Sequence, residues 1–351
     1  MNPFEKRKRL LRTILIDLLV FTVLLFTFAY FHHVRVAYTE PVAIPTPPPT
    51  ATPAPTVAPV VEEQTVAEKP EATPEPDPND LLKGKYAERF TDGEVISDEK
   101  SYRSKNVSLT VEKRTVGDSV CFIADIYVKH LDSFCSAVSL EHADVNPGSR
   151  KNCMQVDLLS REVNGIVAIS GDNYVFRNAG VLAVRNGMEW GRELPLDDEI
   201  LCMFPDGTME TFYSKSQAAQ KAYIEDIYSR GVRQVWCFGP SLLDEAGNAK
   251  TKFKSSVSGR NPRAAVGYYE PGHYCFVVVD GRQKGYSLGM SLEELSKLFA
   301  DLGCSVAYNL DGGETVAFAY QGALINHSEE DEPRDVSDIL YICDPDATKE
   351  G

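Results

Sequence analysis

The stretch Tyr308-Asn309-Leu310-Asp311-Gly312-Gly313-Glu314-Thr315 sets an ionisable carboxyl between an apolar strand, residues 305–310, and a pair of glycines. A carboxylate fixed at the end of a strand and followed by residues that tolerate positive φ and close backbone approach is a frequent placement for chemistry. Taken alone, an Asp-Gly pair reads as a turn that reverses the chain. The segments around it supply the second reading.

Working outward, strands are predicted at 107–111, 121–128, 165–169, 180–185, 200–204, 234–238, 264–269, 274–279, 305–310 and 338–343. They are short, β-branched or aromatic, and bounded by Gly, Asp and Asn. Two helices are predicted. Ser291-Leu-Glu-Glu294 is a capping-box pattern, and Leu292, Leu295, Leu298, Phe299 and Leu302 share one face before Gly303. The second helix covers 216–230 and stops at Gly231. The 291–302 helix lies between two strands, as in a strand–helix–strand crossover. The expected fold class is α+β: one large, strand-rich mixed sheet with a few packed helices.

The N-terminal part carries a different signal. Lys6-Arg-Lys-Arg9 and Arg12 form a basic tail (1–12) before an apolar run, 13–31, broken only by Asp17. That run is long enough to span a bilayer, and the flanking charge predicts a single-pass signal anchor with the following domain extracellular. His32-His33-Val34-Arg35 gives no small-residue cleavage site. Residues 32–80, rich in Pro and Thr, form the expected spacer, and 81–346 the expected single extracytoplasmic domain. A formal charge of −15 with no basic stripe excludes a nucleic-acid partner. The cysteines sit mostly inside apolar strands, where thiols act as small hydrophobes, and Cys135 with Cys153 is the pair left open to a disulfide.

Four segments suggest one site: Gly171-Asp172 after a strand, Arg260 to Arg263 at a strand entrance, Asp280-Gly-Arg282, and Asn309 to Thr315. Each alone reads as a cap, a solvated pair or a hairpin closure. Together, carboxylates and guanidinium groups suit a sugar that bears phosphate.

From about 125 to 343 the chain resembles the phosphodiester glycosidase family. The resemblance rests on Gly171-Asp172, Phe238-Gly-Pro-Ser-Leu242, Asn261-Pro-Arg-Ala-Ala-Val-Gly267, Val279-Asp-Gly-Arg282 with Ser287-Leu-Gly-Met-Ser-Leu292, Asn309-Leu-Asp-Gly-Gly313 and Pro333-Arg-Asp-Val-Ser337. It implies a hydrolase cleaving the glycosidic bond of a sugar-1-phosphodiester in a cell-surface glycan or exopolysaccharide. Two positions depart from the family pattern: Ser170 stands for Asn, and Glu314 for a third Gly. Asp311 and Asp172 are the expected catalytic carboxylates. Arg263, Arg260 and Arg334 are expected on the anion, Asn309 on sugar hydroxyls, and Gly312, Gly313, Glu314 and Thr315 around the substrate. Asp280 is expected to be structural. No cofactor and no metal are expected, because the usual histidine ligands are missing and His273 and His327 read as surface residues. The competing function is a non-catalytic glycan-binding protein on the same scaffold.

Overall fold

The strands Val107–Val116 and Ser119–Val128 pair antiparallel over their full length and form the spine of a seven-stranded sheet. The computed structural model describes residues 12, 16–23, 42–44, 77–139, 153–172, 181–194, 198–327 and 333–347. The expected basic tail and most of the spacer lie outside these. Of the expected anchor, 16–23 are described, as helix, and no helix among the described residues is long and apolar enough to cross a membrane.

Ser119–Val128 is buried almost throughout, which is why its sequence is a near-continuous apolar run rather than an alternating one. The sheet continues through His273–Val279 and Arg263–Glu270 to Val306–Asn309. The first and last of these are each antiparallel to Arg263–Glu270, so they run parallel to one another. The expected crossover helix joins them.

The helices after the described N-terminal one are α1 (Val156–Glu162), α2 (Gln217–Ser229) and α3 (Leu292–Leu302). The capping box of α3 is formed in full: Ser291 accepts from Glu294 N, and Glu294 accepts from Ser291 N. Gly303 closes the helix at φ 84°. α1 went unforeseen, because seven residues are too few to display a helical apolar period.

In place of one sheet there are three. A five-stranded sheet runs in the order Ala323–Leu324, Phe318–Tyr320, Val167–Ser170, Asp338–Ile342, Phe134–Val138. A six-stranded sheet runs Val42–Ala43, Met188–Gly191, Ala183–Arg185, Gln234–Trp236, Ile200–Met203, Met209–Phe212. Strands this short carry no mark of their partners, so the sequence could not divide them. The seven- and five-stranded sheets share a core in which the Phe122 and Phe318 rings lie 6.3 Å apart and Phe134 and Phe276 5.5 Å apart. α3 covers the opposite face of the seven-stranded sheet with Leu295 and Phe299, and α1 covers the five-stranded sheet with Val156 and Leu159. α2 packs Ile227 on the six-stranded sheet. None of the eight cysteines, all of them among the described residues, forms a disulfide, so Cys135 and Cys153 are not bridged.

Candidate functional site

The strand Val306–Asn309 delivers Asp311 into a loop pinned by backbone bonds to two sheets. Leu310 N donates to Ala264 O at 2.8 Å and Gly313 N to Pro262 O at 3.1 Å, both at the entrance of Arg263–Glu270. Asp311 N donates to Gly171 O at 3.0 Å, at the exit of Val167–Ser170. A Cβ at Gly312 would stand 2.8 Å from Pro262 O, and Gly313 has φ +72°, so both positions require glycine. Ser170 secures the far side of the loop: its hydroxyl donates to Thr315 O at 2.6 Å and accepts from Ala317 N at 3.1 Å.

Asp311 is nearly buried. One carboxylate oxygen accepts from Gly312 N at 3.0 Å, the other from the Thr315 hydroxyl at 2.8 Å. Burial raises its pKa above the ordinary carboxylate value. The Thr315 hydroxyl, the charge of Arg334 and the Gly312 N–H oppose that rise, and the charge of Asp172 adds to it.

Asp311, Gly312 and Gly313 line a cavity of about 90 Å³ together with Arg263, Arg282 and Asn261. A cavity of this size has room for a group such as phosphate. Arg263 is 2 % exposed, and it donates through Nε to Met290 O at 2.9 Å and through Nη2 to Val257 O and Gly259 O at 2.6 and 2.5 Å. It has no carboxylate partner among the described residues. Burial and the neighbouring charge of Arg282 push its pKa down to about 10. Arg282 donates to Asn261 Oδ1 at 3.1 Å, and its Nη2 stands 3.2 Å from where a Cβ on Gly313 would be. Two guanidinium groups therefore line this cavity, one of them buried with no counter-charge among the described residues.

Asp172 lies elsewhere in the same region. It is 2 % exposed; one oxygen accepts from Arg185 Nη2 at 2.7 Å and the other from Cys237 N at 2.8 Å. Arg185 also reaches Asp338 at 3.1 Å, making a buried Asp–Arg–Asp network that ties the five- and six-stranded sheets together. Of the two expected catalytic carboxylates, Asp311 lines the cavity and Asp172 does not.

Arg260 is a correction to the expected anion site. It is exposed, pairs with Glu294 and stands 3.9 Å from Asp118, so it covers the start of α3 instead of entering the cavity. Asn309 is buried and braces the chain: its amide donates to Gly239 O at 2.8 Å and its backbone N to Pro240 O at 3.1 Å. Its Oδ1 has no partner among the described residues. Glu314 turns toward Arg334, with Nη1 3.1 Å from Oε2 and the Arg334 N–H donating to Glu314 O at 2.9 Å. Asp280 accepts from Asn326, Tyr286 and His327 N at 2.9 to 3.0 Å, a network that braces its loop.

The family model for phosphodiester glycosidases matches residues 163–343, just over half of the chain and the span that holds every residue of this cavity. The chain belongs to the phosphodiester glycosidase family. The catalytic domain of zebrafish N-acetylglucosamine-1-phosphodiester alpha-N-acetylglucosaminidase, in a form auto-inhibited by its pro-peptide, is similar in fold. Its TM-score is 0.51 at 20 % identity, covering 68 % of this chain and 83 % of that one. The SPbeta prophage-derived uncharacterized protein YomE of Bacillus subtilis (strain 168) is 30 % identical over 150 residues. That alignment takes in 42 % of this chain and 22 % of the Bacillus protein, so the chain spans about a fifth of that relative's length.

Within this family member, sequence reasoning left four residues unassigned that the geometry brings forward: Arg282, Asn261, Arg185 and Asp338. Arg282 and Asn261 stood in quoted segments without a role. Arg185 and Asp338 carried a usable signal, since each is a lone charge at the end of an otherwise apolar strand, of opposite sign to the other.

Proposed function

We propose that this protein is a hydrolase cleaving the bond between C1 of a sugar and a phosphodiester phosphate, with a cell-surface glycan or exopolysaccharide as substrate. The observation that carries this reading is Arg263, a buried guanidinium with no carboxylate partner among the described residues, beside Arg282 and opening on a cavity with room for a phosphate. Such a pair is stabilised by an anion, and Nη1 of Arg263, the nitrogen not committed to backbone carbonyls, remains to donate to a phosphate oxygen. Asp311 acts as general base: it takes a proton from a water whose oxygen attacks C1. The C1–O bond breaks and its electron pair leaves with the phosphate monoester, held by Arg263 and Arg282. A phosphate monoester is a good leaving group, so a second carboxylic acid is dispensable, which fits an Asp172 committed to Arg185. Incubation of the purified protein with sugar-1-phosphodiesters, reading release of the phosphate monoester, tests the reaction. No release across a panel of sugars would leave the glycan-binding reading, which the single carboxylate in the cavity favours.

Arg282→Gln is expected to lower kcat/KM by roughly 10- to 100-fold, the worth of one charge-assisted hydrogen bond. Competitive inhibition by inorganic phosphate should weaken in parallel, and both effects should shrink at high salt. Equal inhibition of wild type and variant by phosphate would remove Arg282 from the anion site.

Glu314 competes with substrate for Arg334. Its side chain is 46 % exposed, so Glu314→Gly should change stability by no more than about 1 kcal/mol. With Arg334 released to the anion, KM should fall a few-fold, as measured by steady-state kinetics. A rise in KM would mean that the carboxylate assists binding.

We also read residues 13–31 as a signal anchor and 32–80 as a spacer that holds the domain outside the cell. The basic cluster Lys6–Arg9 before an apolar run supports this. Protease added to intact cells should release the domain, and full protection would overturn the topology.

A further inference from the structure

We propose that the groove walled by Glu199, Ser241, Lys250, Glu245, Phe212 and Tyr213 is a second binding site, one that takes a saccharide chain without negative charge. It stands at the far end of the strand that carries Asp311. Ser305 and Val306 line the groove, whereas Leu310 and Asp311 line the arginine cavity. At about 3.3 Å per residue of extended chain, the two sites are roughly 17 Å apart along that strand. The groove measures about 760 Å³, against about 90 Å³ at Asp311. That is within the range of roughly 300–1,000 Å³ usual for ligand sites.

Its polar groups are fixed before any ligand arrives. Ser241 donates to Glu199 Oε2 through its backbone N at 2.7 Å and its hydroxyl at 2.5 Å. Lys250 donates to the Ser241 hydroxyl and, at 3.2 Å, to Ser241 O. A carboxylate, a hydroxyl and an ammonium group thus share one wall, the mixture of acceptors and donors that sugar hydroxyls use. Little ordering entropy remains to be lost on binding. Tyr213 lines the groove as well and is 44 % exposed, offering a ring to the apolar face of a sugar.

Charge decides the class of ligand. Glu199, Glu210, Asp244 and Glu245 stand on the wall against Lys250, and Arg230 at 2.9 Å matches Glu210. This polarity is opposite to that of the arginine cavity, so the groove is a separate site rather than an extension of the first. Phosphorylated and uronic-acid chains are repelled from it.

Calorimetric titration of the purified full chain tests the proposal without relying on turnover. The probes are neutral tetrasaccharides of N-acetylglucosamine and of glucose, with tetragalacturonic acid as the anionic counterpart. The expected result is saturable binding of a neutral chain, at least ten-fold weaker binding of the anionic one, and a loss of ten-fold or more in Tyr213→Ala. Tyr213 is exposed, so that variant should keep the wild-type melting temperature. Glu199→Gln serves as the second variant. Absence of saturable binding, preference for the anionic chain, or an affinity untouched by both substitutions would overturn the proposal.

Discussion

Asp311→Asn is expected to reduce hydrolysis of a sugar-1-phosphodiester by about a thousand-fold or more, with no loss of thermal stability. Asparagine keeps the shape and can still accept from Gly312 N or the Thr315 hydroxyl, but it cannot take a proton. Stability should hold because burial disfavours the ionised carboxylate, as the raised pKa shows. The sign follows from that direction. A carboxyl with a folded pKa above its unfolded value contributes stability that is complete below about pH 4 and is lost as pH rises through the folded value. The variant should therefore be at least as stable as wild type at neutral pH. The acid limb of the wild-type rate profile should lie above about pH 3.9, since the base works only when ionised. Steady-state rates from pH 3 to 8 together with thermal melts check all three points. Undiminished turnover in the variant would place the active centre elsewhere.

Arg185→Met should give the largest loss of stability in the domain, about 3–5 kcal/mol in urea denaturation at neutral pH. Removing the guanidinium leaves Asp172 and Asp338 buried with no cation between them, at side-chain exposures of 2 % and 1 %. Burial and the charge of Asp172 already raise the pKa of Asp338, so one of the two carboxyls would be forced to hold a proton. The deficit should narrow as pH falls and Asp338 takes up a proton. Adding Asp338→Asn should recover part of it. An unchanged urea midpoint would show that the network is not under electrostatic load.

Much of this site was legible from local sequence. Asp311 was readable because a strand end, a carboxyl and two glycines are adjacent in the chain, and the need for glycine at 312 and 313 is a local steric fact. The α3 capping box and the crossover it joins were legible for the same reason. Arg263 was expected on an anion and does line the cavity. Arg260, only three residues away, does not: it sits in a bend before the strand and pairs with Glu294. Nothing in the spacing of two arginines says which one faces inward. The division into three sheets was hidden too, since pairing partners of short strands lie far apart in sequence. Asp172 looked like Asp311 in sequence, a carboxyl beside a glycine at a strand end. The partner that distinguishes them, Arg185, belongs to a different sheet.

The parts that meet around the site come from three sheets and from distant points in the chain: Asp172 and Asp338 are 166 residues apart, Arg185 and Asp338 153, and Cys237 and Asp172 65. Contacts of such long range form late in folding, after the local hairpins and helices. Catalysis would then report completed assembly of the domain. On refolding from denaturant, helical signal should return first and turnover last. A chain with one sheet undocked would keep most of its secondary structure and have no active centre at all.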